Sequence, residues 1–169
     1  MNKIKGVIFD LDQTLIDSSS ALHLRRNRLW NRVYEQIPYF TVYSNINELI
    51  NELRENDIKI CIVTSSPRPY CQRVLQNFGW EFMSSVCYHD TNRRKPHRDP
   101  MDRALELLEL ESDEVISIGD DINDMISSNE ANIISIGVTW GINNSSLHDE
   151  ADYVFDDTGE FRNFILDNI

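Results

Sequence analysis

The alternation of apolar runs with helix-like segments predicts an α/β chain: a three-layer α/β/α, Rossmann-like domain built on a parallel central sheet of about five strands. Three observations carry this. Short runs rich in Val, Ile and Phe recur without the apolar/polar alternation of a half-exposed strand, as burial on both faces requires. Segments with helical spacing stand between them, so crossovers rather than hairpins join the strands. Polar clusters follow the first, second and fourth runs, which places them on the rim where open parallel sheets bind ligands. A chain of 169 residues, 41% hydrophobic and 26% charged, suits one domain over residues 1–169 with a real core.

The elements follow in order. IKGVIF within residues 3–10 is the first strand. Residues 18–36 have helical spacing, with Leu22, Leu29, Trp30 and Val33 toward one side, arginines between them, and Pro38 as the stop. Asn45-x-x-Glu48 reads as a capping box opening NINELINELREN, whose Ile46, Leu49, Ile50 and Leu53 form an apolar stripe. IKICIVT (58–64) is the second strand, and residues 67–78 form a helix closed by Gly79. Residues 82–88 are the third strand. Asp99 as N-cap and Pro100 in the first turn open the helix MDRALELLEL. VISIG (115–119) is the fourth strand, DINDMISSNEA a helix, and NIISIGV the fifth strand. ADYVFDD adds a short edge segment before a terminal helix, GEFRNFILDNI.

Composition narrows the function. A net charge of −12 argues against non-specific binding to nucleic acid or anionic membrane. No apolar run approaches the ~20 residues that span a bilayer, and MNKIKGVIFD lacks the pattern of a secretory signal. Cys61, Cys71 and Cys87 are odd in number and have no C-x-x-C spacing, so they read as reduced thiols of a cytoplasmic protein. The positive charge gathers in HLRRNRLWNR (23–32) and NRRKPHR (92–98), either as solvated surface or as a rim for anions. His23, His89, His97 and His148 have no metal-site spacing; His97, two residues beyond Lys95, is the best placed of them to touch a substrate. Trp140 suits packing or the rim of the site.

Four stretches carry the chemistry: FDLDQT (9–14), IVTSS (62–66), RKP (94–96) and IGDDINDM (118–125). Taken alone, FDLD suits an Asx turn and GDDIND an acidic helix start favoured by the macrodipole. Taken in order, they resemble the haloacid dehalogenase superfamily of aspartate-nucleophile phosphohydrolases over nearly the whole chain. GVTWG (137–141) and ADYVFDD (151–157) are similar to its phosphoglycolate-phosphatase-like branch. The resemblance implies Asp10 as nucleophile and Asp12 as general acid/base. It implies Mg2+ as cofactor, held by the Asp10 side chain, the Asp12 backbone carbonyl and the Asp120 side chain. Asp124 would orient waters on the metal or pair with Lys95, with Asp121 beside it. Thr64 and the backbone N–H of Ser65 would bind phosphoryl oxygens, and Lys95 would neutralise the transferring group. Gln13 departs from the family, which most often has glycine there; its side chain would reach the substrate or point outward.

Relatives close their sites with a cap domain, whereas here only residues 17–44 are free to form a minimal helical cap insertion. An open site favours hydrolysis over transfer between sugars, because a transferase must keep water from its phosphoenzyme. The expected enzyme is thus a Mg2+-dependent phosphomonoester hydrolase whose substrate is a phosphorylated small molecule or the phosphorylated end of a macromolecule. A small-metabolite phosphatase closed by a partner subunit, acting on a phosphoglycolate-like compound or a nucleotide or sugar phosphate, and a non-catalytic binding module are the alternatives; monomer and homodimer both stay open.

Overall fold

The computed structural model describes residues 3–169. β1 (Gly6–Phe9) is buried on both faces, Val7 and Phe9 toward one core cluster and Ile8 toward the other, so it can only be central. The flap β2 (Ile16–Asp17) follows at once, and its partner β3 (Thr41–Val42) returns after a short helical excursion through α1 (Leu22–Arg26) and α2 (Trp30–Gln36). Then come α3 (Ile46–Glu55), β4 (Lys59–Val63), α4 (Arg68–Phe78), β5 (Ser84–Val86) and α5 (Asp99–Leu108). β6 (Val115–Gly119), α6 (Ile122–Glu130), β7 (Ile134–Val138), α7 (Leu147–Glu150), β8 (Tyr153–Phe155) and α8 (Thr158–Leu166) complete the chain.

The main sheet has six strands in the order β5-β4-β1-β6-β7-β8, every pairing parallel. The expected count of about five is one short, because ADYVFDD supplies a full sixth strand that pairs with β7 from Ile136 to Val138. Chain order runs outward from β1 on one side and from β6 on the other. The reversal therefore lies between β1 and β6, where a crevice opens at the strand ends. α5 and α6 pack on one face of the sheet through Met101, Ala104, Leu108 and Ala131. On the other face lies the larger core of Leu49, Leu53, Val74 and Phe161, from α3, α4 and α8.

Three local expectations need correction. The continuous helix over residues 18–36 is broken at residues 27–29, where Arg28 takes a left-handed conformation (φ 55) and separates α1 from α2. Asn45 makes no capping box: it is itself left-handed (φ 63), and its side-chain amide donates instead to Thr158 Oγ1 at 3.1 Å. Asp99 is the first residue of α5 rather than its cap, and its carboxylate accepts from Arg93 at 2.9 Å. For Asn45 a long-range partner outcompetes the local bond that the spacing suggests, and for Asp99 a loop arginine takes the carboxylate. Gly79 does close α4 in the left-handed form, and the three cysteines are free and buried.

Candidate active site

The polar clusters meet at the crevice. Asp10 follows β1 and its backbone N–H donates to Ile118 O at 2.9 Å, which extends the β1–β6 ladder and fixes where its carboxylate emerges. Thr64 follows β4, tied to Val86 O through its own N–H at 2.9 Å. Its hydroxyl oxygen accepts from Ser66 N at 3.1 Å, which leaves the hydroxyl proton available. Asp120 follows β6 and receives the Thr14 hydroxyl at 3.4 Å. Lys95 enters from the loop before α5. Its ammonium donates to Asp10 Oδ1 at 3.1 Å, Val63 O at 2.8 Å and Asp124 Oδ1 at 2.6 Å, so all three of its protons are used.

Asp121 and Asp124 form a reciprocal capping box at the start of α6: Asp121 accepts from Asn123 N at 2.8 Å, and Asp124 Oδ2 from Asp121 N at 3.1 Å. The acidic helix start and the catalytic-cluster reading of GDDIND thus hold together, since one Asp124 oxygen caps the helix while the other takes Lys95. Gly119 makes room for this: a Cβ there would stand 2.3 Å from Asp124 Oδ2. Asp10, Asp12, Thr64, Ser65, Lys95, Asp121 and Asp124 all line one pocket of about 270 Å³.

Burial sets the electrostatics. Asp10 is pushed up to about 8, first by desolvation, against the pull of Lys95 and with a further push from Asp120. Desolvation likewise lifts Asp120 to about 6 and Asp124 to about 6. Burial draws Lys95 down, but Asp10 and Asp124 draw it up by more, so it stays charged. Carboxylate oxygens of Asp10, Asp120 and Asp124 lie within 4.8 Å of one another. Three buried carboxyls facing one ammonium are short of positive charge, and an all-oxygen donor set suits a hard divalent cation. The residues therefore fit such an ion, and Asp124, beside it, makes the Lys95 pairing that was one of its two expected roles.

Asp12 lines the same pocket but is held by a separate set of partners. Its Oδ2 pairs with Arg25 at 3.0 Å, while Oδ1 accepts from Ser18 Oγ at 2.6 Å and from the Tyr70 hydroxyl at 2.5 Å. Gln13, beside it, neither reaches into the pocket nor points to solvent. It is buried, left-handed (φ 62), and its Oε1 accepts from Ser18 N at 2.9 Å while Nε2 donates to Tyr43 Oη at 3.3 Å. A residue forced to positive φ explains why glycine suits the position, and the side-chain bonds explain how glutamine manages there.

No local pattern in the sequence marks Arg25, Ser18 or Tyr70 as partners of Asp12. Arg25 belongs to a recognised basic stretch, but only the fold of α1 brings it to the pocket wall. His97 lies away from the pocket, in a separate groove with Arg93, Pro96 and Glu130. Trp140 packs on Phe161 and donates its indole N–H to Thr14 O at 3.0 Å, which steadies the turn carrying Asp12.

A doubly wound parallel sheet with a buried carboxylate–lysine cluster at its switch point defines an α/β protein with a ligand site at its strand ends. The family model described as haloacid dehalogenase-like hydrolase matches residues 23–138. The chain belongs to that family, and phosphatase is the enzyme class it shares with its relatives. It is 29% identical over 201 residues to a pyrophosphatase PpaX of Bacillus mycoides, covering 91% of this chain and 93% of that protein. It is 28% identical over 154 residues to a phosphoglycolate phosphatase of Vibrio cholerae, covering 88% of this chain and 68% of that one. Among solved structures it superposes on a HAD-superfamily hydrolase from Ehrlichia chaffeensis with a TM-score of 0.77 at 24% identity, covering 99% and 98% of the two chains. No helix among the described residues is long and apolar enough to cross a membrane.

Proposed function

We propose that the chain is a Mg2+-dependent phosphomonoester hydrolase that works through an aspartyl phosphate on Asp10. The observation that supports this most is Lys95, buried to 6% side-chain exposure and shared between Asp10 and Asp124 at the edge of a pocket walled by Thr64 and Ser65. A carboxylate that attacks phosphorus must stay ionised while it is buried, and a phosphate dianion must be brought up to it. The Asp10 and Asp120 side chains and the Asp12 carbonyl would hold Mg2+, whose charge would keep Asp10 a carboxylate and offset that of the phosphoryl group.

The chain's own groups do the rest. Asp10 Oδ attacks phosphorus as the bond to the leaving oxygen breaks, and Asp12 delivers a proton to that oxygen. In the second half Asp12 takes a proton from water, the water oxygen attacks phosphorus, and Asp10 is released with inorganic phosphate. The Thr64 hydroxyl and the Ser65 N–H bind phosphoryl oxygens, and Lys95 holds Asp10 in place and balances its charge. Asp121 and Asp124 act from α6, Asp124 by positioning Lys95. Ser18 and Tyr70 occupy Oδ1 of Asp12 and Arg25 one side of Oδ2, which leaves Oδ2 the oxygen with room to exchange a proton.

Residues 1–169 act as one catalytic unit, with residues 17–44 in place of a full cap. Two short helices and a two-residue flap fill that stretch. The alignment to the Bacillus mycoides relative, at 201 positions, exceeds this chain's 169 residues, which fits a cap reduced in this chain. Such a site admits a bulky leaving group. The relatives' names favour a second reading, a small-metabolite phosphatase, and a screen of phosphate esters graded by size separates the two. The defining experiment is phosphate release from an aryl phosphate. It is expected with Mg2+, abolished by EDTA and lowered at least about a thousandfold by Asp10→Asn. Full turnover by folded Asp10→Asn protein would remove the nucleophile, and silence across the whole panel would leave a binding module.

A further inference from the structure

A second cavity, of about 680 Å³, opens beside the 270 Å³ pocket and shares Arg25, Ser65 and Ser66 with it as a common wall. Its other lining includes Arg26, Arg28 and Trp30 from α1, α2 and the turn between them, and Tyr88, His89 and Arg94 from the loop after β5. The two basic stretches of the sequence, some sixty residues apart, thus converge on one groove. In a chain with 28 acidic and 16 basic residues, no carboxylate among the described residues lines it. Among the described residues no ion pair engages Arg26, Arg28 or Arg94, whereas Arg93 and Arg98 nearby are paired to Asp99 and Asp102. Arg25 Nε is buried without a hydrogen-bond partner on the shared wall. Arg25 is otherwise paired with Asp12, but Arg26, Arg28 and Arg94 have no carboxylate partner among the described residues, and like charges gathered in a concave site favour an anion that joins them.

The groove is also flat-walled. The Arg94 guanidinium lies over the Tyr88 ring at 4.0 Å, His89 meets the same ring edge-on at 4.8 Å, and Trp30 is half-exposed. Arginine planes and aromatic faces of this kind stack heterocyclic bases. A sugar bisphosphate would use the arginines and leave the rings idle; an aryl group would use the rings and leave the arginines unpaired. A long polyanion would extend past the groove onto a molecule of net charge −12.

We propose that this groove receives the leaving group of the hydrolysis, and that the leaving group is a mononucleotide unit carrying at least one phosphate besides the scissile one. The proposal rests on the phosphatase reading above. The phosphoryl group enters the Asp10 pocket, the remaining phosphate meets Arg26, Arg28 and Arg94, and the base lies along Trp30 and the Arg94–Tyr88 pair. Hydrolysis yields inorganic phosphate and a nucleotide with a free hydroxyl where the phosphate was attached.

The test compares kcat/KM for a nucleoside 3′,5′-bisphosphate, a nucleoside monophosphate, a ribose bisphosphate and a trinucleotide with a terminal phosphate. The bisphosphate is expected to exceed the monophosphate and the ribose bisphosphate by about tenfold or more, one well-placed charged or stacking contact being worth about that factor. That preference should shrink toward unity in Arg28→Ala and in Arg26→Ala, and should weaken with added salt. Equilibrium dialysis of the nucleoside bisphosphate with Asp10→Asn protein reads the groove without turnover, and binding lost on adding Arg28→Ala supports the assignment even if no phosphate is released from any ester. A ribose bisphosphate or trinucleotide turned over as fast as the nucleoside bisphosphate, or a preference unmoved in both arginine variants, overturns it.

Discussion

Gln13 shows how a single residue can satisfy two opposed demands. Its left-handed backbone costs an L-residue roughly 1 kcal/mol, yet its amide oxygen is the acceptor for Ser18 N and its amide nitrogen reaches Tyr43. Gln13→Ala keeps the strain and orphans Ser18 N, so it should lower unfolding free energy by about 1–3 kcal/mol. Gln13→Gly loses the same bonds but relieves the backbone, and urea titration should find it about 1 kcal/mol less damaging than the alanine variant. The reverse order would mean that the strain is not real. Gly119 is the complementary case. An alanine Cβ would collide with Asp124, which either moves off Lys95 or breaks its cap on Asp121. Gly119→Ala should therefore cut turnover about ten- to a hundredfold while costing about 1–3 kcal/mol of stability. Turnover equal to the parent's would show that Asp124 does not position Lys95. Asp10, Thr64, Lys95 and Asp120 were legible in the sequence because each sits where a motif meets a strand end or a proline-marked loop. Arg25, Ser18 and Tyr70 were not, since they reach Asp12 only through the folding of α1 and α4, which no local spacing encodes.

At the scale of elements, α6 carries both structure and site in its first turn. Asp121 is its cap and also a wall of the pocket. Asp121→Ser keeps a capping oxygen and removes the charge; Asp121→Ala removes both. The alanine variant should lose about 1 kcal/mol in denaturant titration and the serine variant only a few tenths. Asp157, which caps α8 by accepting from Glu160 N at 2.8 Å, is the control away from the crevice. Asp157→Ala should cost stability on the same scale with turnover unchanged, and a matching loss of turnover there would show that capping acts on the site through global stability. The central strands β1, β4, β6 and β7 and the helices between them were readable because buried strands and amphipathic helices leave strong, uninterrupted patterns, whereas the half-exposed β8 read only as an edge segment. The flap was not. β2 and β3 pair over two residues each across a gap of more than twenty, too short for any periodicity to mark them. The α1–α2 break failed to show for a similar reason, because Arg28 in the left-handed form has no glycine to announce it.

The whole molecule brings like charges together and should answer to pH and to divalent cation jointly. For a carboxyl whose folded pKa is raised, the stability it contributes is fully present below its unfolded value near 4 and is lost as pH rises through the folded value. Asp120 and Asp124, each near 6, and Asp10, near 8, should make metal-free protein progressively less stable from about pH 4 to pH 8, more gently in the upper half where only Asp10 contributes. Lys95 is raised and remains protonated throughout that window. The lowered groups, Asp17, Asp99 and Glu114, act in the opposite sense, since their contributions are lost only as pH falls into the ordinary carboxylate range and below. A cation that binds the ionised cluster competes with those protons, so its stabilisation grows as they leave. Thermal melting in EDTA should accordingly fall between about pH 4 and pH 8, and Mg2+ at a few millimolar should raise the melting temperature more at pH 8 than at pH 5.5. Asp10→Asn removes the highest of the three titrations and should flatten the upper part of the metal-free decline. A melting temperature that climbs with pH in EDTA, or a Mg2+ shift of equal size at both pH values, would mean that the three buried carboxyls are not the groups that hold the ion.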